Sequence, residues 1–499
     1  MCGLVVSIWV LVWFWRACFG RNSLNLVIST VIRSIEMGSK ESGISRRDFL
    51  SKTGQAAAGA VAVGALAGCG VGQRVSSVGE GRVIGANDQI NMAVIGIRSR
   101  GNQLANGFAQ IPNVKIKTVC DIDENVLASQ AAKFEEAHGY MPAKEYDLRK
   151  VLEDKDIDAV AIAAPNHWHA LATIWACQAG KHVYCEKPCS HNIWEGRKMI
   201  EASRKYDRLV QVGFQNRSIS NVRQAMKFLH DGGIGEVYMA RGLCYKPRNS
   251  FGLFPDSEVP RGVHYDLWLG PAPYRPFNKG RFHYNWHWHW DTGNGDIGNQ
   301  GPHQFDVARW GLGEDEHPVK VCSMGGYFKF GDVCSQETAN TQVATYEYSD
   351  GKILQFEVRG LYTNNDDGIG IGNLFYGTEG WMHVNGSNWK TFMGRKNEPG
   401  PSSSSAEPAA DPLNLAGAGG GGHYGNFIAA LRSGKREDQT CDIEVGYMST
   451  VLPHLANISY RLGRCLKFDG KKEKFVNAKD ADKMLTRKYR KPYVVPKNV

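Results

Sequence analysis

At 499 residues the chain exceeds what one ordinary hydrophobic core organises, so two domains with extensions are expected. Its 42% hydrophobic and 22% charged residues are those of a globular protein. The formal charge of +9 comes without a long basic run or aromatic–basic interleaving, and the 12 cysteines without a CxxC pair, so nucleic-acid binding and a zinc site are not expected.

The amino-terminal region reads as an export leader. Ser45-Arg46-Arg47-Asp48-Phe49-Leu50 precedes an Ala/Gly-rich, mildly apolar stretch that ends in Leu66-Ala67-Gly68-Cys69. That order is a twin-arginine signal with a lipobox, so residues 37–69 are assigned as leader and Cys69 as the lipidated first residue of the mature chain. Residues 1–36 fit this poorly. Met1 to Trp15 is apolar but short for a membrane span, which needs about twenty residues. Met37 is therefore expected to be the initiator, with a second membrane anchor as the alternative. The expected location is the periplasm or cell envelope, the only membrane association being the lipid. Residues 70–87 read as a linker.

Residues 88–212 have the alternation of a doubly wound parallel sheet. Ile90 to Ile97 is an apolar strand that breaks into Gly96-Ile97-Arg98-Ser99-Arg100-Gly101, followed by a helical segment over 102–110. The strand Val114 to Cys120 delivers Asp121 twenty residues past Gly101, near the spacing of about twenty expected for a ribose-binding acid. Arg98 stands where the fingerprint has its middle glycine, and is read as a donor lying along the pyrophosphate. Further on come a helix at 147–154, a buried strand Ala159 to Pro165, a loop Asn166-His167-Trp168-His169, a helix over 170–180 and a strand His182 to Cys185. Asn166, His169, Glu186 and Lys187 all fall at carboxyl ends of strands, where a nicotinamide ribose would lie. NAD is the expected cofactor, because Asp121 would repel a 2′-phosphate.

In this order AVIGIRSRG, the acid of VCDID, PNHWH, Glu186-Lys187-Pro188 and GNQGPHQFD resemble the Gfo/Idh/MocA oxidoreductases, the family of glucose–fructose oxidoreductase and inositol 2-dehydrogenase, over about Asn87 to Arg464. The resemblance implies a Rossmann-type domain followed by a carboxyl-terminal α+β domain with an open-faced, mostly antiparallel sheet. It also implies a small carbohydrate substrate and a homo-oligomer. The family's Asp-x-Gly-x-His-x-x-Asp pattern falls on Asn299-Gln300-Gly301-Pro302-His303-Gln304-Phe305-Asp306. An amide replaces the first acid, and it orients a hydroxyl but takes no proton. By this resemblance His303 is the base, Lys187 donates to the same oxygen, and Asn299 and Asp306 face substrate.

Asn285 to Trp290 alternates Trp and His, which at a strand period of two places Trp286 and Trp288 on one face and His287 and His289 on the other. The indoles read equally as a sugar platform or as core; a metal held by the two histidines lacks a third ligand. Tyr265 lies in a turn-rich insertion expected near substrate. The second domain, 213–499, is expected to carry a helix at Ser220 to His230 and strands at Val237 to Tyr245, Val319 to Phe330, Gln342 to Tyr348 and Ile353 to Arg359. Residues 399–422 read as a mobile loop, and His454 and Asn457 as one helical face within reach of the cleft. The cysteines read as buried free thiols, with a Cys322–Cys334 hairpin pair as the alternative. The resulting expectation is an NAD-dependent oxidoreductase acting on a secondary hydroxyl of a sugar, glycoside or polyol with tightly held cofactor. The rivals are a glycosidase or lyase using transient ring oxidation, and a non-catalytic sugar-binding lipoprotein.

Overall fold

The computed structural model describes residues 84–85, 88–405 and 421–499. The leader, Cys69 and nearly all of the linker lie outside the described residues, as does 406–420 of the expected loop.

The first sheet has six strands in the order β3-β2-β1-β4-β5-β6, all parallel. They are β1 (Ile90–Ile95), β2 (Val114–Cys120), β3 (Ala143–Glu145), β4 (Ala159–Ile162), β5 (His182–Cys185) and β6 (Val210–Val212). Helices α1 (Ser99–Ala109), α2 (Glu124–His138), α3 (Leu148–Glu153), α4 (Asn166–Gln178) and α5 (Ile193–Lys205) alternate with them. Their central strands are apolar on both faces because helices cover both, as parallel sheets require. The strand order reverses direction between β1 and β4, which opens a crevice at their carboxyl ends.

Asn166-His167-Trp168-His169 is not a loop. It forms the first turn of α4, with Pro165 as its N-cap residue. Proline at the boundary removes a donor the helix would have left unpaired, and only three residues, Ala163 to Pro165, separate the helix from β4.

The second sheet has ten strands in the order β14-β13-β12-β11-β7-β10-β9-β8-β15-β16, antiparallel except where β7 (Val237–Tyr245) runs alongside β10 (Ile353–Arg359). The others are β8 (Lys320–Gly326), β9 (Thr341–Glu347), β11 (Ile371–Gly377), β12 (Gly380–Val384), β13 (Trp389–Met393), β14 (Glu398–Ser402), β15 (Leu466–Asp469) and β16 (Lys474–Phe475). This corrects the reading of 399–422 as one loop, since its first residues pair with β13. Beyond α6 (Ser220–His230) come the short helices α7 (Tyr265–Leu269) and α8 (Gly295–Asn299), then α9 (Gly301–Leu312), α10 (Gly422–Ser433), α11 (Ile443–Leu462) and α12 (Lys479–Asp482). Helix α9 packs on one face of the sheet, where a side chain at Gly242 would strike Phe356 and Gln304. The two halves share side chains: Phe427 and Leu431 of α10 join Phe108 and Tyr184 in the core of the first sheet.

The cysteine expectation changes for one pair: Cys322 of β8 is bonded to Cys465, the residue ahead of β15, while Cys334 is a buried free thiol as expected. The partners are 143 residues apart, a pairing that hairpin reasoning does not reach. Among the described residues no helix is long and apolar enough to cross a membrane.

Candidate active site

The crevice at the strand ends of the first sheet is a cavity of about 700 Å³. Its floor is the turn after β1. Gly96 adopts φ +82°, and a side chain there would sit 2.8 Å from the Ala163 carbonyl oxygen. A side chain at Gly101 would lie 1.7 Å from the Gly96 carbonyl oxygen, so both glycines are required for α1 to approach the sheet. Arg98 is exposed at the N-cap and lines the cavity.

Asp121 ends β2 at the opposite rim. Its Oδ2 accepts from the Ile97 backbone N–H at 2.9 Å and its Oδ1 from that of Asp123 at 3.1 Å. Burial pushes its pKa up to about 6, against those two hydrogen bonds and the Arg98 charge. Because the folded value exceeds that of an unfolded Asp, the ionised carboxylate weighs against the fold. Stripped protein should therefore lose stability as pH rises from the ordinary Asp range to about 6. NAD affinity should run the other way, weakening as pH falls from about 8 to about 5, because a protonated carboxyl accepts ribose hydroxyls poorly. Calorimetric titration of stripped protein at the two pH values checks this. Asp121→Asn should flatten the dependence and admit NADP.

The third side comes from β5 and α4. Glu186 accepts from Arg100 Nε at 2.7 Å and from Gln215 Nε2 at 3.1 Å, so it is engaged in bracing the glycine turn. Arg100 itself was not foreseen. Its Nη1 donates to Gln103, while Nη2 is buried without a partner on the cavity wall. The clue was in the sequence: two arginines at the positive end of a helix with no acid in its first turn are unfavourable unless an anion answers them. The Asn166 amide donates to Asn294 Oδ1 at 2.9 Å and lines the same wall. His169 also reaches the cavity, but its two ring nitrogens each lie 2.7 Å from a carbonyl oxygen, those of Pro188 and Ala164. It therefore holds the two loops together and has no nitrogen left for a ligand, a correction to its expected role.

Lys187 faces the second half of the chain. Its Nζ donates to the Asn299 carbonyl oxygen at 2.8 Å, with Asn299 Oδ1 at 3.5 Å. Burial pulls its pKa below the ordinary lysine value, partly offset by Glu186. Lys187 and Asn299 both line the cavity.

The remaining wall corrects the Trp/His alternation. Residues 283–288 form a 3-10 turn, not a strand, so the neighbours of each side chain are not those of a two-residue period. Trp286 and His287 line the cavity, their rings stacked with centroids 3.6 Å apart. Trp288 is buried beneath the Arg248 guanidinium, so it is core and not a platform. His289 is buried with Nε2 3.0 Å from the Gly280 carbonyl oxygen. Tyr265 is likewise core, stacked on Trp268 and packed with Phe277 and Phe282.

His303, in the first turn of α9, lines a neighbouring cavity of about 300 Å³ with Gln215, Asn216, Gln300, Gln304 and Asn373. Burial, and then the charges of Lys187 and Arg100, hold its pKa well below the ordinary imidazole value; Nδ1 is buried and unpartnered. Asp306 is fully buried and takes a two-pronged contact from Arg217, with Nη2 at 2.8 Å and Nε at 2.9 and 3.0 Å. It is a structural ion pair and has no face toward substrate. His454 and Asn457 are also buried, bonded to the Ser190 and Asn294 carbonyl oxygens, away from the cavity lining. Among the described residues no cluster of three or more His, Cys, Asp or Glu is placed to hold a metal ion.

A glycine turn at a helix amino terminus, an acid at the rim and a lysine at the far end define a dinucleotide site. Comparison with known proteins agrees. An oxidoreductase family model described as an NAD-binding Rossmann fold matches residues 90–214, and its companion, a carboxyl-terminal alpha/beta domain, matches 250–367 and 421–495. The chain belongs to this family, the Gfo/Idh/MocA oxidoreductases. An inositol 2-dehydrogenase of Salmonella typhimurium is 27% identical over 235 residues, 46% of this chain and 57% of that protein. A glycosyl hydrolase family 109 protein of Saccharopolyspora erythraea is 29% identical over 213 residues, 41% and 46% respectively. The chain thus spans about half the length of the curated relatives it matches. The aldose-aldose oxidoreductase of Caulobacter crescentus, solved with glycerol, shares the fold at a TM-score of 0.56 and 18% identity, covering 76% of this chain and all of that one.

The residues fit the cofactor on their own evidence. The unpartnered Arg100 Nη2 and the two glycines answer a pyrophosphate, and Asp121 answers a ribose.

Proposed function

We propose that this chain is an NAD-dependent oxidoreductase that acts on a secondary hydroxyl of a sugar, glycoside or polyol and keeps its cofactor tightly bound. The observation that carries the reading is Lys187, an ammonium drawn out of water and set beside Asn299 at the inner end of the dinucleotide cavity. NAD, when bound, supplies the hydride acceptor. The protein's share is to hold the hydroxyl and manage its proton. Lys187 has three donors, of which Asn299 engages the carbonyl-facing one firmly and a second only at 3.5 Å. A donor therefore remains for the substrate oxygen. Its charge favours alkoxide character there, and the imidazole of His303 is the proposed proton acceptor.

Purified protein is expected to release NAD(H) on denaturation, read from the supernatant by its absorbance. Product analysis after incubation with glycosides separates this reading from its nearest rival, which the glycosyl hydrolase relative favours. A keto sugar supports net oxidoreduction; released aglycone with an intact sugar supports transient oxidation. Absence of nucleotide at any preparation scale would count against both.

We place the mature protein outside the cytoplasm, carried by the twin-arginine route and held by a lipid on Cys69. The Cys322–Cys465 disulfide supports this, since such bonds persist mainly in oxidising compartments. Cys69→Ala is expected to move the protein from the membrane fraction to the soluble one; unchanged membrane association would rule out the lipid. The proposed assembly is a homo-oligomer, checked by sedimentation.

A further inference from the structure

The 3-10 turn at 283–288 is held from behind with unusual firmness. The Trp286 carbonyl oxygen accepts from Thr292 Oγ1 at 2.8 Å, and the Trp288 carbonyl oxygen accepts from the backbone N–H groups of Glu337 and Thr338 at 2.9 and 3.2 Å. Gly293 closes the turn so tightly that a side chain there would lie 2.4 Å from the His287 carbonyl oxygen. Arg248, itself bonded to Asp296 at 2.7 and 3.0 Å, covers the Trp288 ring. Such support fixes whatever the turn presents to the cavity.

What it presents is an imidazole in one defined state. His287 Nδ1 lies 2.6 Å from the Tyr284 carbonyl oxygen, which only accepts, so Nδ1 carries the proton. In a neutral ring Nε2 is then a bare acceptor. Among the described residues no hydrogen bond to Nε2 is made, although the ring lines the cavity. Burial first, then the charges of Lys187 and Arg248, press its pKa down to about 3, so the ring stays neutral at physiological pH. The Trp286 indole, 3.6 Å away and tilted by 20°, limits ring rotation. The other histidines nearby differ. His283 lies 3.1 Å from the Asp123 carboxylate, His289 is buried against Gly280 and Glu337, and His169 is held between two carbonyls.

An acceptor with no protein partner, fixed and neutral, lining the same cavity as a donating ammonium is suited to a polyhydroxylated ring. We propose that His287 Nε2 is a substrate-contacting residue that accepts a hydrogen bond from a second ring hydroxyl of a cyclic polyol or pyranoside, beside the hydroxyl held at Lys187. The inference rests on the reading of this cavity as the redox site. It adds that the substrate needs at least two hydroxyls, and that His287 selects for the second without taking the proton.

The test uses the holoenzyme with myo-inositol and methyl β-D-glucopyranoside, and cyclohexanol as the single-hydroxyl control. His287→Phe keeps a ring against Trp286 but has no acceptor; His287→Gln keeps a polar one. The expected result is a KM raised about 10- to 100-fold in His287→Phe, with kcat changed less than about 3-fold and nucleotide content intact. The preference for polyols over cyclohexanol should fall in step, with partial rescue in His287→Gln. In protein labelled with nitrogen-15 histidine, the Nε2 resonance of His287 should move when the reactive polyol is added.

Reduction of the bound nucleotide with an unchanged KM in His287→Phe would overturn the inference and leave the redox reading standing. A collapse of kcat at constant KM would also overturn it, by making His287 the proton acceptor. If no polyol reduces the nucleotide or moves any histidine resonance, the redox reading itself fails and the inference with it. Should His287→Phe not fold, the resonance shift and the Gln variant decide.

Discussion

Lys187→Met should lower turnover by about a thousandfold while the protein stays folded and retains its nucleotide. Removing one preorganised donor typically costs about 10²- to 10³-fold, and Lys187 holds that position in the proposed chemistry, with His303 as the proton acceptor. Methionine keeps much of the stem's volume but removes the ammonium that donates to the Asn299 carbonyl oxygen at 2.8 Å. Lys187→Arg should not rescue, because a planar guanidinium cannot replace a compact donor whose spare N–H points into the cavity. Nucleotide retention matters to the interpretation. Gly96, Gly101, Arg100 and Asp121 form the proposed pyrophosphate and ribose end, and none of them depends on Lys187 through a hydrogen bond. Single-turnover reduction of the bound nucleotide by a reactive glycoside measures the effect. A Lys187→Met enzyme within about threefold of the parent would remove the central element of the mechanism.

The largest effect on stability should come from Asp306→Ala. Asp306 is wholly buried, and Arg217 shows only a tenth of its side chain to solvent. Their two-pronged contact is completed by Ser449 Oγ, which donates to Asp306 Oδ1 at 2.7 Å and accepts from Arg309 Nε at 3.1 Å. The cluster ties three pieces: the turn at 215–218 that leaves the first domain, α9, and α11. Removing the carboxylate strands a guanidinium in the interior, a change that typically costs about 3–5 kcal/mol. Urea unfolding would show it as a lower midpoint. Asp306→Asn should cost less, since the amide oxygen still accepts one bond. A substrate-facing acid would behave differently, raising KM in the Asn variant with the unfolding midpoint unmoved.

Strands β2, β7 and β10 and helix α6 were legible to the residue, since each is a run whose apolar pattern matches a single period. Strands β11 to β14 were not read at all: residues 371–402 carry six glycines and four asparagines and hold their pairing through neighbours rather than through propensity. The Trp/His alternation of 285–290 satisfied a strand period, yet among the described residues no strand pairs with it. Its carbonyls are met by Thr292, Glu337 and Thr338, and the backbone curls into a 3-10 turn. The same local pattern thus hid His287, which the two-residue period had grouped with the buried His289.

By itself the sequence determined the family, the dinucleotide turn, the acid at its rim and the lysine after β5. Each of these is carried by a short contiguous motif, whose geometry the backbone settles within a few residues. Only the tertiary structure decided how the polar side chains are used. Asp306 meets a partner 89 residues away, Cys322 one 143 residues away, and Trp288 and Tyr265 become core through contacts that no local period encodes. A polar or aromatic side chain serves ligand or scaffold according to which groups surround it, and those groups are brought near only when distant segments pack.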